Sequence, residues 1–202
     1  MIPGLYPNLL FLQIFFMKQL FYLFLAVLSC SAAMGQPNLP AIDKSPIDIS
    51  YYPNNYPVLK IQDKATGPLA ARVVYSRPKK EGRTIFGGLV EYGKVWRLGA
   101  NEATEIEFYQ KVNIGGKKVS KGRYTLYAIV NENSWTFIVN KETDTWGSFK
   151  YSPDKDVVRV DVPAEKITEL VEYLAMTFEK TAAGINLVVA WENTRASLPI
   201  TL

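Results

Sequence analysis

Residues Arg123 to Lys141 read RYTLYAIVNENSWTFIVNK. Two runs rich in β-branched and aromatic residues, Arg123 to Val130 and Trp135 to Lys141, flank the polar Asn131-Glu132-Asn133-Ser134. Runs of this length and composition, separated by turn-forming residues, predict a β-hairpin. The same pattern recurs on both sides of it. Thr104 to Tyr109 alternates Ile106 and Phe108 with Glu105 and Glu107, which predicts a strand with one wet face. Val112 to Val119 turns on Gly115-Gly116, a two-residue hairpin signal. Further strands are predicted over Leu69 to Arg77, Trp146 to Tyr151, Asp156 to Val162, Val171 to Lys180 and Ile185 to Glu192. A last one, Arg195 to Thr201, is predicted at an edge because Pro199 cannot donate to a ladder. Ile167, Leu170, Val171 and Leu174 sit at helical spacing behind Pro163, so a short turn of helix is predicted over Pro163 to Thr168. Many short strands with turns about every ten residues predict an all-β fold. The expected architecture is an antiparallel β-sandwich, or a barrel-like sandwich, with at most one short helix.

The N-terminal part has a different composition. Leu9 to Met17 and Leu20 to Leu28 are apolar, Lys18 lies between them, and Ala33-Met34-Gly35 is a small-x-small exit. Residues 1–35 therefore read as a secretory signal peptide, with Met17 a better-placed initiator than Met1. Each apolar run is shorter than the roughly 20 residues of a membrane span. Val27-Leu28-Ser29-Cys30 resembles a lipobox, which leaves lipidation at Cys30 open. The expected location is exported, periplasmic or envelope-associated, with membrane contact only through the signal segment or a lipid on Cys30. Residues 36–57 contain Pro37, Pro40, Pro46, Pro53 and Pro57 and read as a linker and extended arm that cannot be a central strand. Residues 58–202 read as one domain.

What the sequence lacks narrows the chemistry. The chain has no His and a single Cys. A Ser-His-Asp triad, a His base, a thiol nucleophile in the domain and the usual zinc sites are excluded. No cofactor or metal is expected, and Asp154-Lys155-Asp156 and Asn131-Glu132-Asn133 read as turns rather than calcium loops. The formal charge of +4 gives no case for nucleic acid. The tightest basic cluster, Arg77, Lys79, Lys80 and Arg83, reads as a solvated loop.

One stretch follows no single period. Tyr75 to Thr104 reads YSRPKKEGRTIFGGLVEYGKVWRLGANEAT. Together with Gly122 to Tyr127, Trp146-Gly147 and Trp191 to Arg195 (WENTR), it resembles the signature of DUF2911, a bacterial domain family of unknown function. The resemblance covers roughly Ile42 to Leu202. It implies an exported bacterial protein and brings no activity with it.

The candidate site residues lie in and around that stretch. Arg97, Asn101 and Glu102 follow Trp96 across Gly99, and together they offer a planar donor fork, an amide and a carboxylate beside an aromatic ring. Such a set suits a small polar ligand or glycan. It equally suits an internal Arg97–Glu102 pair with Asn101 bonding loop backbone. Of the aromatics Tyr75, Tyr92, Trp96, Tyr124, Tyr127, Trp135, Trp146, Tyr151 and Trp191, most are expected in the core, with Trp146 the best candidate for a ligand platform. Arg77 and Glu192 could join Arg97 at one end of the domain, or Glu192 could simply pair with Arg77 or Arg97. The sequence favours a non-catalytic binding module for a glycan or other small polar ligand. A carboxylate-dependent hydrolase acting on saccharides through Glu102 and Glu192, or a structural envelope protein, is the alternative.

Overall fold

The computed structural model describes residues 7–31 and 39–202. The chain divides at Ala41/Ile42 into two compact units. The first holds α1 (Pro7–Ser31), whose side chains over residues 11–24 are exposed. Among the described residues no helix is long and apolar enough to cross a membrane. The expected cleavage segment, Ala33-Met34-Gly35, lies outside the described residues.

The second unit holds β1 (Ile47–Tyr52), α2 (Tyr56–Ile61), β2 (Ala71–Ser76), β3 (Val95–Trp96), β4 (Glu105–Phe108), β5 (Val112–Ile114), β6 (Lys117–Val119), β7 (Gly122–Val130), β8 (Ser134–Asn140), β9 (Asp156–Lys180) and β10 (Gly184–Thr201). Neighbouring strands pair in the order β1-β2-β4-β7-β8-β9-β10-β5-β6, and all the pairings are antiparallel. The unit is all-β with one short α-helix. The β7–β8 hairpin pairs Thr125 with Asn140 through Val130 with Trp135, as the alternation in the sequence predicts.

The long strand β9 folds the sheet over. Its first part pairs with β8 as far as Pro163, and from Ala164 onward it pairs with β10 instead. One apolar core fills the space between, built from Ile106, Phe108, Leu126, Phe137, Leu174, Phe178, Leu187 and their neighbours. Four large rings meet in it. Phe86 packs on Trp96, Trp135 and Trp191, and Trp96 stacks on Trp191 with centroids 6.1 Å apart. Burying such rings dominates the stability of a domain that has no disulfide.

The free edge of β9 meets β1 and β2 without a backbone ladder. Side chains take the ladder's place. Tyr75 Oη accepts from Met176 N at 3.0 Å and donates to Met176 O, and Ser50 Oγ donates to that same carbonyl. Arg77 Nε donates to Leu174 O, and Asn54 Nδ2 donates to Phe178 O. Backbone bonds from Leu174 N to Pro78 O and from Lys80 N to Glu172 O continue the seam. An unpaired buried peptide group costs about 1–3 kcal/mol, so these side chains are what make the seam tolerable.

Three expectations are corrected. Residues 163–168 are not helical but belong to β9, where residues 167–170 bulge out opposite Asn193. Asn193 Nδ2 lies 3.3–3.4 Å from the carbonyls of Ile167, Thr168 and Glu169 and holds that bulge. Residues 146–151 form a turn-rich loop instead of a strand. Within the proline-rich arm, β1 pairs with β2 as an edge strand, and α2 follows it. Finally, residues 185–192 and 195–201 form one strand, β10, bent where Glu192 takes a positive φ of 56°.

Candidate functional site

Two loops leave the sheet and meet on its outer face. The first interrupts a strand. β3 and β4 both run antiparallel along β7, with Trp96 opposite Ala128 and Glu105 opposite Thr125. Only Leu126 and Tyr127 separate those positions on β7, whereas residues 97–104 intervene on the other side, so the segment must bulge outward. It is tied at its base: Thr104 N donates to Arg97 O, and Thr104 Oγ1 donates to Leu98 O at 2.7 Å. Leu98 and Asn101 adopt left-handed backbone, with φ of 56° and 57°. This conformation is costly for non-glycine residues and persists only where the surroundings enforce it.

The second loop, residues 141–155, joins β8 to β9. It lies over a small apolar cluster of Ala103, Tyr127 and Ile138, with Val95, Ile129 and Tyr151 at its edge. Tyr127 packs edge-on against Tyr151 and hydrogen-bonds Thr145 Oγ1 at 3.1 Å. Tyr151 donates to Asp156 Oδ2, which also accepts from Arg159, while Asn140 Nδ2 bonds the other Asp156 oxygen. Burial first, then the Asp156 bond, pushes the Tyr151 phenol up to about 12. The two loops are stitched together. Ala103 N donates to Thr145 O, Gly147 N to Asn101 O and Ser148 Oγ to Val95 O, and Glu102 bridges Trp146.

This stitching holds two aromatic rings in solvent. Trp146 is 62% exposed and Phe149 is 82% exposed. Gly147 lies between them with a φ of 65°, and a Cβ there would come within 2.8 Å of the Phe149 ring. Glycine therefore permits both the turn and the seating of Phe149. Beside the rings are two openings. A slot of about 180 Å³ is lined by Ile47, Val74, Ser76, Glu102, Glu105 and Asp144 among others. A groove of about 620 Å³ is lined by Trp146, Phe149, Lys150, Lys155, Glu142 and Thr143. Asp144 and Thr145 line both.

The structure divides the expected site residues into two groups. Asn101, Glu102 and Trp146 come together at the junction of the loops. Glu102 is exposed and lines the slot, so it is not buried against Arg97. Trp96 is part of the core and donates to Gly99 O from its indole N–H. Arg77 is spent on the seam and on Asp48, at 2.9 Å. Glu192 pairs with Lys80 at 3.5 Å, not with Arg77 or Arg97. The rest of the WENTR stretch is equally structural: Trp191 is buried and donates to Glu172 O, Asn193 holds the bulge, and Arg195 pairs with Glu165. Arg97 is half-buried and lines neither the slot nor the groove. Its Nε is buried without a partner, and burial lowers its guanidinium from the usual value. Among the described residues no group of three or more His, Cys, Asp or Glu side chains is placed to hold a metal.

Sequence reasoning missed Phe149, Asp144 and Thr145. Placing residues 146–151 on a strand hid Phe149, although the polar KETDT run and Gly147 mark a loop there.

The family model described as a protein of unknown function, DUF2911, matches residues 57–200. No curated protein matches the chain, and no solved structure matches it.

Proposed function

This chain belongs to the DUF2911 family, which brings no activity with it, and we propose from its own geometry that it is an exported, non-catalytic binding module for a glycan or other small polar ligand. One observation carries the reading: Trp146 and Phe149 stand in solvent beside a groove, on loops fixed by hydrogen bonds from below. Exposed rings with immobilised backbones cost little entropy when a ligand stacks on them. Glu102 at the rim is an acceptor for hydroxyl or amide donors, and Asp144 retains its Oδ1, its Oδ2 being taken by Arg123 and Thr143.

The hydrolase reading asks for two carboxylates free to act as acid and base or nucleophile. The slot has three, but two of them are engaged. Arg123 holds Glu105 at 3.3 Å and Asp144 at 2.6 Å, and Glu105 also accepts from Asp144 N. Glu192, the other sequence candidate, is paired with Lys80. This leaves Glu102 without a catalytic companion and favours binding over cleavage.

Trp135 and Trp191 are buried and Trp96 is partly buried, so Trp146 is the tryptophan that a soluble quencher reaches most easily. A panel of soluble oligosaccharides should include members that protect it from acrylamide quenching, and Trp146→Ala should abolish their binding without unfolding the domain. A panel with no protection, or equal binding by the variant, would sink the proposal. Export is checked on the protein recovered from its native host, whose N-terminus should lie at Gln36 or at a modified Cys30. An intact Met1 or Met17 start would rule cleavage out.

A further inference from the structure

We infer that the occupant of this cleft is an uncharged saccharide chain of at least two units, with its end unit in the slot and the next unit against Trp146 and Phe149. The inference rests on the binding reading above and adds ligand length and charge to it.

Length follows from space. At about 180 Å³ the slot alone is smaller than the roughly 300–1,000 Å³ of ordinary small-molecule sites. The adjoining groove of about 620 Å³ brings the cleft into that range. Because Asp144 and Thr145 line both, a molecule that leaves the slot across those residues enters the groove. A single ring occupies one compartment, whereas a chain of linked rings occupies both. The faces of Trp146 and Phe149 offer the apolar surface on which the C–H face of a sugar ring stacks.

Charge follows from the lining. Every charged side chain lining the slot is a carboxylate: Glu102, Glu105 and Asp144. Ionised carboxylates accept hydrogen bonds and donate none, which suits sugar hydroxyls. A uronate or phosphate in the slot would meet the like charges of these carboxylates and the apolar side chains of Ile47, Val74 and Ala103. Both surroundings disfavour an anion. Arg123 offsets Glu105 and Asp144 but does not line the slot, so it gives such a group no direct partner. The groove differs, with Lys150 and Lys155 on its wall and Lys155 held by Glu142. Discrimination against negative charge is therefore concentrated at the slot end.

The test titrates the full chain with cellotriose, maltotriose and chitotriose, with the matching monosaccharides, and with trigalacturonate as the anionic probe, by calorimetry. At least one neutral trisaccharide should bind about tenfold or more tighter than both its monosaccharide and trigalacturonate. Glu102→Gln, which removes one negative charge and keeps an acceptor, should narrow the gap to trigalacturonate. A monosaccharide that binds as tightly as its trisaccharide overturns the inference, as does wild-type binding of trigalacturonate equal to or tighter than that of the neutral chains. Either result leaves the binding reading standing. Failure of every saccharide to bind overturns the inference and that reading together.

Discussion

The seam and the cleft are made of similar residues and put them to opposite uses. At the seam, Tyr75, Arg77, Ser50 and Asn54 point their polar atoms at the free edge of β9, and each has a partner. At the cleft, hydrogen bonds fix the backbone, while the rings of Trp146 and Phe149 and the carboxylate of Glu102 face outward. Both regions combine aromatics, amides and charges, and composition does not separate them. They are separated by where the polar atoms are spent. A residue whose donors and acceptors are already satisfied within the chain has little left for a ligand. On that criterion Arg77, Trp96 and Glu192 are scaffold; Arg97 and Asn101 line neither the slot nor the groove, so Glu102 and Trp146 remain.

The contrast is most easily broken at the seam, where the largest effect is expected. Tyr75→Phe removes a buried hydroxyl that serves both Met176 N and Met176 O. The loss should destabilise the domain by about 1–3 kcal/mol in urea unfolding. A change below about 0.5 kcal/mol would mean that water replaces the hydroxyl and that the seam is not closed by side chains.

A smaller and pH-dependent effect is expected beneath the cleft. Tyr151 has its phenol raised from 10.0 to about 12 by burial and by Asp156. The unfolded chain therefore releases this proton first. The stabilising contribution is complete below about pH 10 and is lost as pH rises through about 12. Because other tyrosines, including Tyr75 and Tyr124, are also raised, the comparison has to be made with Tyr151→Phe. The decline in stability from pH 10 to 12 should be shallower in the variant. Parallel curves would show that the second loop does not depend on this hydroxyl.

Much of the scaffold was legible because strand periodicity is local. Ile106 and Phe108 against Glu105 and Glu107, and the paired runs around residues 131–134, specify their strands without help from the rest of the chain. The error at residues 163–168 has a physical cause. A bulge of residues 167–170 against Asn193 inserts extra residues into β9 and turns a period of two into apparent helical spacing. Nothing near Ile167 announces it, since the side chain that holds it lies on the next strand. The same distance problem affected the site. Trp146 was legible from the polar run before it. Arg77 and Glu192 were expected beside Arg97, or paired with each other, because their actual partners, Asp48, Leu174 and Lys80, come from remote parts of the chain. The slot was invisible for the same reason, as its walls come from β1, β2, the start of β4 and both loops.

The smallest expected effect is also the most direct test. If the cleft residues are held for contact outside the chain, the domain does not need them for its stability. In urea unfolding, the double variant Trp146→Ala, Phe149→Ala should stay within about 0.5 kcal/mol of wild type, the range of surface changes that remove no internal contact. A loss of about 2 kcal/mol or more would show that the two rings pack the domain and would contradict the account.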